Sequence, residues 1–256
     1  MADEKNCRIL AFANQKGGVG KTTSAVNIAA SLGSLGKKTL LCDFDPQGNA
    51  TSGVGISKKG VKTSYDLILG ENPYNCISKT EFEGLDAVPA DIPLAGAEIE
   101  LVDEEKRQYK LKKALDTLRG DYDYIIIDCP PSLGLLTINS LCAADGVVVP
   151  MQCEYYALEG LSQLVMTISK IKKMYNPSLE LLGVVITMFD GRLNLTMQVL
   201  EELKKYFPDK LFATPVPRNV RLSEAPSFGM PVMYFDKHSK GGAAYKEIAK
   251  EIVSRK

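Results

Sequence analysis

A glycine-rich segment with two lysines is the part of this sequence whose residue types best suit chemistry. It reads Asn14-Gln15-Lys16-Gly17-Gly18-Val19-Gly20-Lys21-Thr22-Thr23-Ser24 and lies between an apolar stretch at 9–13 and an amphipathic run at 25–35. Glycines let backbone N–H groups turn toward phosphate oxygens, and the start of a helix attracts anions. The order of strand, loop and helix therefore predicts a nucleoside triphosphate site, with Lys21 on the phosphates and the Thr22 hydroxyl on Mg²⁺.

The segment departs from the ordinary phosphate-loop pattern in two ways. Gln15 stands where G-x-x-x-x-G-K-[ST] has its first glycine, and a second lysine, Lys16, precedes the glycine pair. Since one lysine already serves the phosphates, Lys16 either points at the same nucleotide or reaches the nucleotide of a neighbouring subunit. In the second case it acts in trans, as an arginine finger does, and dimerisation completes the site. A solvated surface lysine is the plain alternative.

Three aspartates are predicted to meet the phosphate loop at the carboxyl edge of the sheet. Asp43 and Asp45 follow the second predicted strand in Asp43-Phe44-Asp45-Pro46-Gln47-Gly48-Asn49, and Asp128 closes a five-residue strand at 124–128. Asp128 is placed to hold Mg²⁺ directly or through water, Asp43 to contribute to the metal's outer shell through water, and Asp45 to orient the attacking water. Asp43 and Asp45 could instead be turn-formers before Pro46.

Apolar strand-like runs alternate with helical periodicity along the whole chain of 256 residues. The strands at 124–128 and 146–150 are apolar on both faces, as expected when helices cover both sides of a parallel sheet. The pattern predicts an α/β fold with a doubly wound, mostly parallel sheet, in a single domain over 1–256. The predicted strands are 9–13, 39–43, 85–89, 124–128, 146–150 and 181–188, and the predicted helices are 22–35, 65–69, 104–119, 135–143, 158–174, 194–206 and 243–253.

The charge of the chain is balanced overall but not locally. Lys plus Arg equals Asp plus Glu at 31 each, so the whole molecule offers no strong field for nucleic acid or membrane. Residues 191–256 carry 12 Lys or Arg against 7 Asp or Glu, a surplus of +5. The last quarter of the chain is its basic end.

The cysteines and the termini favour a cytoplasmic protein. Six cysteines form no C-x-x-C pair, and several lie in apolar stretches, which indicates reduced core thiols. No apolar run approaches the length of a membrane span, and the first residues lack a signal-peptide pattern.

Several segments resemble the deviant Walker A ATPases and, among them, the chromosomal ParA/Soj proteins. The resemblance covers essentially the whole chain. The phosphate loop and the 43–49 segment resemble the deviant Walker A ATPases as a whole. Four further segments resemble the ParA/Soj proteins in particular: Leu94-Ala95-Gly96-Ala97-Glu98, Asp128-Cys129-Pro130-Pro131-Ser132-Leu133-Gly134, Gln152-Cys153-Glu154-Tyr155-Tyr156-Ala157-Leu158-Glu159-Gly160 and Pro217-Arg218-Asn219-Val220-Arg221-Leu222-Ser223-Glu224-Ala225-Pro226-Ser227.

The resemblance implies a P-loop NTPase of the deviant Walker A type: a weak ATPase that uses ATP and Mg²⁺ in chromosome or plasmid partition. The family forms an ATP-sandwich homodimer, binds double-stranded DNA without sequence preference, and is stimulated by a ParB/Spo0J-type centromere-binding protein. Such a protein is nucleoid-associated, with no stable membrane association. Carried over by position, Lys16 is the trans-acting lysine, Lys21 is catalytic beside it, Asp45 is the hydrolytic aspartate, and Gly17 lets two monomers close.

The resemblance also assigns the remaining contacts. Phosphate contacts fall on Lys16, Gly17, Gly18, Val19, Gly20, Lys21, Thr22 and Thr23, and Pro217, Arg218 and Asn219 line the adenine. DNA contacts fall on Arg192, Arg221 and Lys240, for which ordinary solvated or ion-paired charges are the alternative. Phe228-Gly229-Met230 stands where the family often has His-Gly-Lys, and 234–240 where it often has an Asp-Pro-Arg-Ser-Arg stretch, so positive charge is reduced there.

Two other functions are compatible with parts of the sequence. A MinD-like membrane-surface switch would dock through a carboxyl-terminal amphipathic helix, and Tyr245, Ile248, Ala249, Ile252 and Val253 do form an apolar stripe. The stripe is short and its polar face mixes charges, which favours packing against the protein's own sheet. A nitrogenase-reductase-like electron carrier would need cysteines arranged to bridge a cluster between subunits.

Overall fold

A seven-stranded sheet forms the centre of the molecule. The structure is a computed structural model that describes residues 7–154 and 157–255. The strand order is β3-β4-β2-β5-β1-β6-β7, and every neighbouring pair is parallel except β3 with β4. The strands are β1 (Arg8–Phe12), β2 (Thr39–Asp43), β3 (Ser78–Lys79), β4 (Leu85–Val88), β5 (Tyr124–Asp128), β6 (Gly146–Gln152) and β7 (Glu180–Thr187).

Helices cover both faces of this sheet. They are α1 (Lys21–Ser34), α2 (Asn49–Gly53), α3 (Ser64–Ile68), α4 (Leu94–Glu100), α5 (Lys110–Asp116), α6 (Leu135–Ala143), α7 (Ala157–Met174), α8 (Asn194–Tyr206), α9 (Val220–Glu224), α10 (Val232–Phe235) and α11 (Lys240–Ser254). Short 3-10 helices lie at Pro73–Cys76, Arg107–Tyr109 and Ala225–Phe228. The predicted doubly wound, mostly parallel fold is confirmed.

Successive residues of the central strands enter opposite halves of the core. In β5, Ile125 and Ile127 pack with residues of α5, α6 and α7, whereas Ile126 packs with residues of α1 and α11. All three are fully buried. Burial on both faces explains why the strand is a continuous apolar run rather than an alternating one.

The carboxyl-terminal helix α11 belongs to this core. Tyr245, Ile248 and Ile252 are buried against α1, and the Tyr245 hydroxyl lies 3.1 Å from the Ser24 hydroxyl. Of the apolar stripe, Tyr245, Ile248, Ala249 and Ile252 are therefore used inside the fold, whereas Val253 is 39% exposed. Among the helices described, none is long and apolar enough to cross a bilayer.

All six cysteines are free thiols, and five of them are buried. Cys153 is half-buried. The interpretation as reduced core thiols agrees with this arrangement.

The structure corrects several predicted boundaries. The predicted helix at 104–119 is shorter, because Lys106 adopts a left-handed backbone (φ 55°) and α5 begins only at Lys110. Helix α2 lies between the predicted strand at 39–43 and the predicted helix at 65–69, where no element was predicted, and α4 and the antiparallel β3 were not predicted either. Of the motif at 152–160, Tyr155 and Tyr156 lie outside the described residues.

Candidate functional site

The predicted site residues meet at the carboxyl edge of three neighbouring strands. Strand β5 lies between β1 and β2. Its last residue, Asp128, pairs with Phe12 at the end of β1 and with Asp43 at the end of β2. The chain then enters the phosphate loop from β1 and the aspartate segment from β2. Parallel pairing thus places the loop and the carboxylates side by side.

Two glycines shape the phosphate loop. Gly18 and Gly20 have φ values of 73° and 85°, a left-handed region that favours glycine, and Gly20 caps the start of α1. The loop is held from the outside: the Thr187 hydroxyl donates to the Val19 carbonyl at 2.7 Å, and the Gln152 amide donates to the Gly18 carbonyl at 2.8 Å. The loop is preformed for an anion at the helix start.

The Lys21 side chain lies inside the loop. It is 7% exposed, and its ammonium group donates to the Lys16 carbonyl at 3.1 Å. Burial lowers the pKa of Lys21, while the nearby Asp128 carboxylate is the largest influence in the opposite direction. A buried cation whose one hydrogen-bond acceptor among the described residues is a backbone carbonyl suits an incoming polyphosphate.

The Lys16 side chain points elsewhere. It forms an ion pair with Glu154, in the segment after β6, and both side chains are about half exposed. The Lys16 backbone N–H donates to the Asn14 side chain at 3.0 Å. The two lysines of the motif therefore differ: one is buried in the phosphate loop and the other faces solvent.

Nothing within the subunit itself requires a glycine at position 17. A Cβ built at this position meets no atom within 4 Å, and its φ is not positive. The residue is exposed. The subunit itself therefore leaves room for a side chain at this position.

Asp128 is a buried carboxylate without hydrogen bonds. It is 0% exposed, and neither of its oxygens has a partner of standard geometry among the described residues. Burial raises its pKa well above the usual range, and the charge of Asp43 adds to this effect. The nearby Thr22 hydroxyl and the Lys21 charge act in the opposite direction.

Asp43 is buried and is held by hydrogen bonds from Thr51 and Asp45. Its Oδ2 accepts both the backbone N–H and the hydroxyl of Thr51, each at 2.7 Å. Burial raises its pKa to about 6, although the hydrogen bonds from Thr51 oppose the shift. The backbone N–H of Asp45 donates to Asp43 Oδ1 at 3.2 Å, which links the two aspartates.

Asp45 turns its carboxylate toward the following loop. Its side chain accepts from the Gln47 N–H at 3.0 Å, and its own carbonyl accepts from the Gly48 N–H at 2.9 Å. The residue is 8% exposed. It does form the turn before Pro46, yet the same turn places it beside Asp43 at the site.

This set of oxygens fits Mg²⁺ together with a nucleotide. Magnesium in such sites takes one or two protein oxygens plus substrate phosphates and water. Asp128 provides oxygens with no hydrogen bond of standard geometry among the described residues, Thr22 is the first residue after the loop lysine, and Asp43 is close enough to affect Asp128 electrostatically. A cation would offset the unfavourable burial of these carboxylates.

A cavity of about 280 Å³ lies next to the phosphate loop. The predicted base-lining residues Pro217, Arg218 and Asn219 border it, as do Gly20 and Met188. Met188 has a left-handed backbone (φ 50°), which is uncommon outside glycine and is often found at functional sites. The cavity position suits a base attached to phosphates in the loop.

The three predicted DNA-contacting residues are exposed but differ in their pairing. Arg192 is paired with Asp190 at 2.7 Å, and Arg221 lies 2.8 Å from Glu224 and 3.4 Å from Asp236. Lys240, at the start of α11, has no ion pair within the described part of the chain. Both arginines are therefore ion-paired within the subunit, which agrees in part with the alternative that they are ordinary ion-paired charges.

A larger cavity, of about 620 Å³, contains none of the predicted residues. It borders Lys38, Leu85 and Tyr122, near the amino ends of β2, β4 and β5. Its size alone does not outweigh the chemistry at the carboxyl edge, where ligands bind in this kind of sheet.

Sequence reasoning missed two supporting residues. Thr51 fixes Asp43 and also accepts the Ala90 N–H at 2.8 Å, and Thr187 anchors the phosphate loop. Thr51 falls in a Gly/Ser/Lys-rich stretch with no motif, so nothing local singles it out. Glu154 lies in the 152–160 motif, and no feature of the sequence links it to Lys16.

Known proteins resemble this chain along nearly its whole length. A family model described as an AAA domain matches residues 7–181. The sporulation initiation inhibitor protein Soj of Bacillus subtilis is 55% identical over 249 residues, which cover 96% of this chain and 98% of that protein. The chromosome partitioning protein ParA of Myxococcus xanthus is 53% identical over 250 residues, which cover 97% of this chain and 88% of that protein.

The fold also matches a solved structure with a nucleotide in place. Cobyrinic acid a,c-diamide synthase from Mycobacterium smegmatis, with bound ATP analog and magnesium, superposes with a TM-score of 0.84. It is 40% identical, and the match covers 96% of this chain and 94% of that one. A protein of the same architecture thus holds a triphosphate analog with magnesium.

Proposed function

Because the chain belongs to the ParA/Soj family of chromosome-partitioning ATPases, which use ATP and Mg²⁺, we propose how it couples ATP to partition. ATP closes two subunits into a sandwich, the dimer binds double-stranded DNA without sequence preference, and a ParB/Spo0J-type partner triggers hydrolysis and release. The observation that carries this proposal is the unlike placement of the two lysines, with Lys21 inside the phosphate loop and Lys16 outside it.

Within one subunit, the chain positions the triphosphate. Backbone N–H groups of the loop and the Lys21 ammonium bind phosphate oxygens, and the cavity beside Pro217 takes the adenine. Thr22 and Asp128 would hold Mg²⁺, with Asp43 bound to it through water; the metal neutralises developing phosphate charge when bound. Asp45 orients the water for in-line attack.

Across the subunit interface, Lys16 leaves Glu154 and contacts the other subunit's nucleotide. Its half-exposed position supports this exchange, because an exposed ion pair contributes only about 0–1 kcal/mol. The open space at Gly17 supports it as well, since the loop can be approached closely there. Each active site is then complete only in the dimer.

Dimerisation would also make the DNA-binding surface. Arg192, Arg221 and Lys240 all lie in the last quarter of the chain, which carries the +5 surplus. Two copies double the number of phosphate contacts, and DNA affinity rises steeply with the number of charges neutralised. ATP thereby controls DNA binding, and the protein associates with the nucleoid in its ATP state.

The proposal is tested by measuring mass, DNA binding and turnover on the same preparation. Light scattering with ATP or a non-hydrolysable analogue should show a dimer, and DNA co-sedimentation should require the nucleotide. ATPase activity should rise when DNA and the ParB-type protein of the same genome are added together. A single-subunit mass with the analogue bound would refute the sandwich mechanism, and lipid binding without DNA binding would favour a membrane switch.

A further inference from the structure

Lys58 is a basic residue that the proposed mechanism does not use. It lies in the loop between α2 and α3, next to a second lysine, Lys59. The Lys58 side chain is 28% exposed, whereas Lys59 is an exposed residue. The two lysines therefore differ in their surroundings, and the less exposed one contacts the aspartate segment that follows β2.

The closest acceptor given for the Lys58 ammonium group is a backbone carbonyl. Lys58 donates to the Gln47 carbonyl at 3.1 Å. The nearest carboxylate is farther away, with 4.0 Å between Lys58 Nζ and Asp91 Oδ1. An ion pair between partly exposed groups contributes little. The contact with the backbone of Gln47 is therefore the more specific of the two.

Gln47 connects Lys58 to Asp45. The Gln47 N–H donates to Asp45 Oδ1 at 3.0 Å, while the Gln47 carbonyl accepts from Lys58. Gln47 is thus held at both of its backbone polar groups, and each of its partners is a charged side chain. Hydrogen bonds with a charged partner are stronger than neutral ones. The orientation of the Asp45 carboxylate therefore depends on where Lys58 holds the Gln47 backbone.

The residue after Gln47 shows how closely this turn is packed. A Cβ built at Gly48 would collide with the Lys58 ammonium group and would lie 2.5 Å from the Ala90 carbonyl. The φ of Gly48, 62°, also favours glycine. The turn that carries Asp45 is therefore packed directly against both Lys58 and Ala90.

We propose that Lys58 is a positioning residue for ATP hydrolysis, which holds the Gln47 backbone so that the Asp45 carboxylate stays aimed at the attacking water. This inference rests on the proposed function, since Asp45 is the residue proposed to orient that water. A displacement of about 1 Å in a reacting geometry can reduce the rate about 10²-fold. A lysine two hydrogen bonds away from the carboxylate can therefore change the rate of the chemical step.

The same contacts argue against a direct role of Lys58 on phosphate groups. To reach a nucleotide, Lys58 would have to leave the Gln47 carbonyl, and Lys21 already lies inside the phosphate loop. A contact with DNA is disfavoured as well, because less than one third of the Lys58 side chain is exposed. The geometry favours an effect that passes through Asp45.

The aspartate segment is held at a second point by Thr51. The Thr51 hydroxyl donates to Asp43 at 2.7 Å and accepts the Ala90 N–H at 2.8 Å. These bonds do not involve Lys58, so they remain when Lys58 is replaced. A substitution at Lys58 should therefore disturb the aspartate that orients water and spare Asp43, which is proposed to bind Mg²⁺ through water.

The experiment compares two substitutions at position 58. Lys58→Met keeps the length of the side chain but removes its charge and its N–H donors, whereas Lys58→Arg keeps a cationic donor. Lys59→Met is the matched control, because it removes the same charge from the neighbouring position. Single-turnover hydrolysis is measured at saturating ATP and Mg²⁺, with DNA and the ParB-type protein of the same genome present. The half-saturating ATP and Mg²⁺ concentrations and the melting temperature are measured on the same variants.

Lys58→Met should lower the stimulated rate roughly tenfold, while the half-saturating concentrations of ATP and Mg²⁺ stay within about twofold of wild type. Lys58→Arg should recover most of the rate, and Lys59→Met should behave as wild type. In an Asp45→Ala background, Lys58→Met should cause no further loss, because the two residues act as one unit.

A wild-type rate in Lys58→Met would overturn the inference, and so would the same tenfold loss in the Asp45→Ala background. A higher half-saturating ATP concentration at an unchanged rate would show that Lys58 contacts the nucleotide, which also overturns it. An equal loss of rate in Lys58→Met and Lys58→Arg, with a lower melting temperature in both, would show a merely structural role. In each of these cases slow hydrolysis by Asp45→Ala leaves the proposed function intact. Rapid hydrolysis by Asp45→Ala would instead refute the proposed role of Asp45 and this inference together.

Discussion

The Lys16 ammonium group is paired with the Glu154 carboxylate, 138 positions later in the same chain. The pair joins the phosphate loop to the segment after β6, beside Gln152, which also bonds the loop. Both partners are about half exposed, so the pair holds the lysine only weakly. Lys16 is therefore available for a phosphate, whereas Lys21 already lies in the loop.

Replacing Lys16 by alanine separates the two lysine roles. Lys16→Ala should bind ATP nearly as well as wild type, because Lys21 and the loop amides remain. It should lose partner-stimulated hydrolysis, since the charge supplied in trans is absent. Turnover with DNA and the ParB-type protein measures this, and a normal stimulated rate would show that the trans role is wrong.

Glu154→Gln tests the ion pair from its other side. Removing the carboxylate releases Lys16, which should favour the ATP dimer by a few-fold at most, given the small energy of exposed pairs. Sedimentation at several ATP concentrations gives the dimer fraction. A collapse of ATP binding in this variant would mean that Glu154 serves the nucleotide directly.

Asp45→Ala should trap the ATP-bound dimer. The carboxylate that orients the water is lost, and such groups contribute about 10²- to 10⁴-fold to rate. ATP affinity should persist, because Asp45 makes its hydrogen bonds to the Gln47 N–H and within its own turn. Single-turnover hydrolysis and light scattering test the prediction together; rapid hydrolysis by the variant would assign the role elsewhere.

Gly17→Val should block the dimer without unfolding the monomer. A Cβ at Gly17 meets nothing within 4 Å, so the substitution costs little in the isolated subunit. Gly120→Val is a matched control, because Gly120 is also exposed with open space around it. Thermal unfolding should be similar for both variants, while the ATP-dependent mass increase should disappear only at Gly17. Dimer formation by Gly17→Val would contradict close approach of the loops.

The fold and the outline of the site follow from patterns that are local in sequence. In β5 the run of three isoleucines is apolar on both faces, which indicates a central parallel strand, and Asp128 ends it where ligands bind. The glycines and lysines of the phosphate loop lie within a few residues of one another. Such features are visible because one segment contains the whole signal.

The parts that were missed depend on contacts between distant segments. Thr51 becomes a support for Asp43 only because α2 folds back on β2, and Lys16 meets Glu154 only through the pairing of β6 with β1. The helix α4 begins after Pro93 and contains Gly96, so its local preference is weak; burial of Leu94 and Ala97 stabilises it instead. Tertiary packing decides these features.

Asp190 provides a test by pH. Hydrogen bonds from Arg192 lower the pKa of Asp190 to about 2, from a usual value of 3.8. Because the folded-state pKa is depressed, any stabilisation from this pair is present above the usual value and is lost as the pH falls toward 2. In Arg192→Ala the Asp190 pKa should return toward its usual value. A carboxyl titration followed by NMR measures it, and an unchanged pKa would show that the pair does not persist in solution.

The DNA surface is tested by reversing two charges. Arg192→Glu with Arg221→Glu removes up to four phosphate contacts from a dimer, so the slope of log affinity against log salt should fall by about 3 to 4. Lys170→Glu with Lys173→Glu, on the exposed side of α7 and outside the basic quarter, is the matched control. Because Arg192 and Arg221 are paired with acidic neighbours, part of their charge is already offset, and the measured change should lie at the lower end. Lys240→Ala, which removes an unpaired charge, should then reduce the slope by nearly a full contact per subunit. Salt-dependent DNA binding that is the same in the double arginine variant and the α7 control would place the DNA contacts on another face.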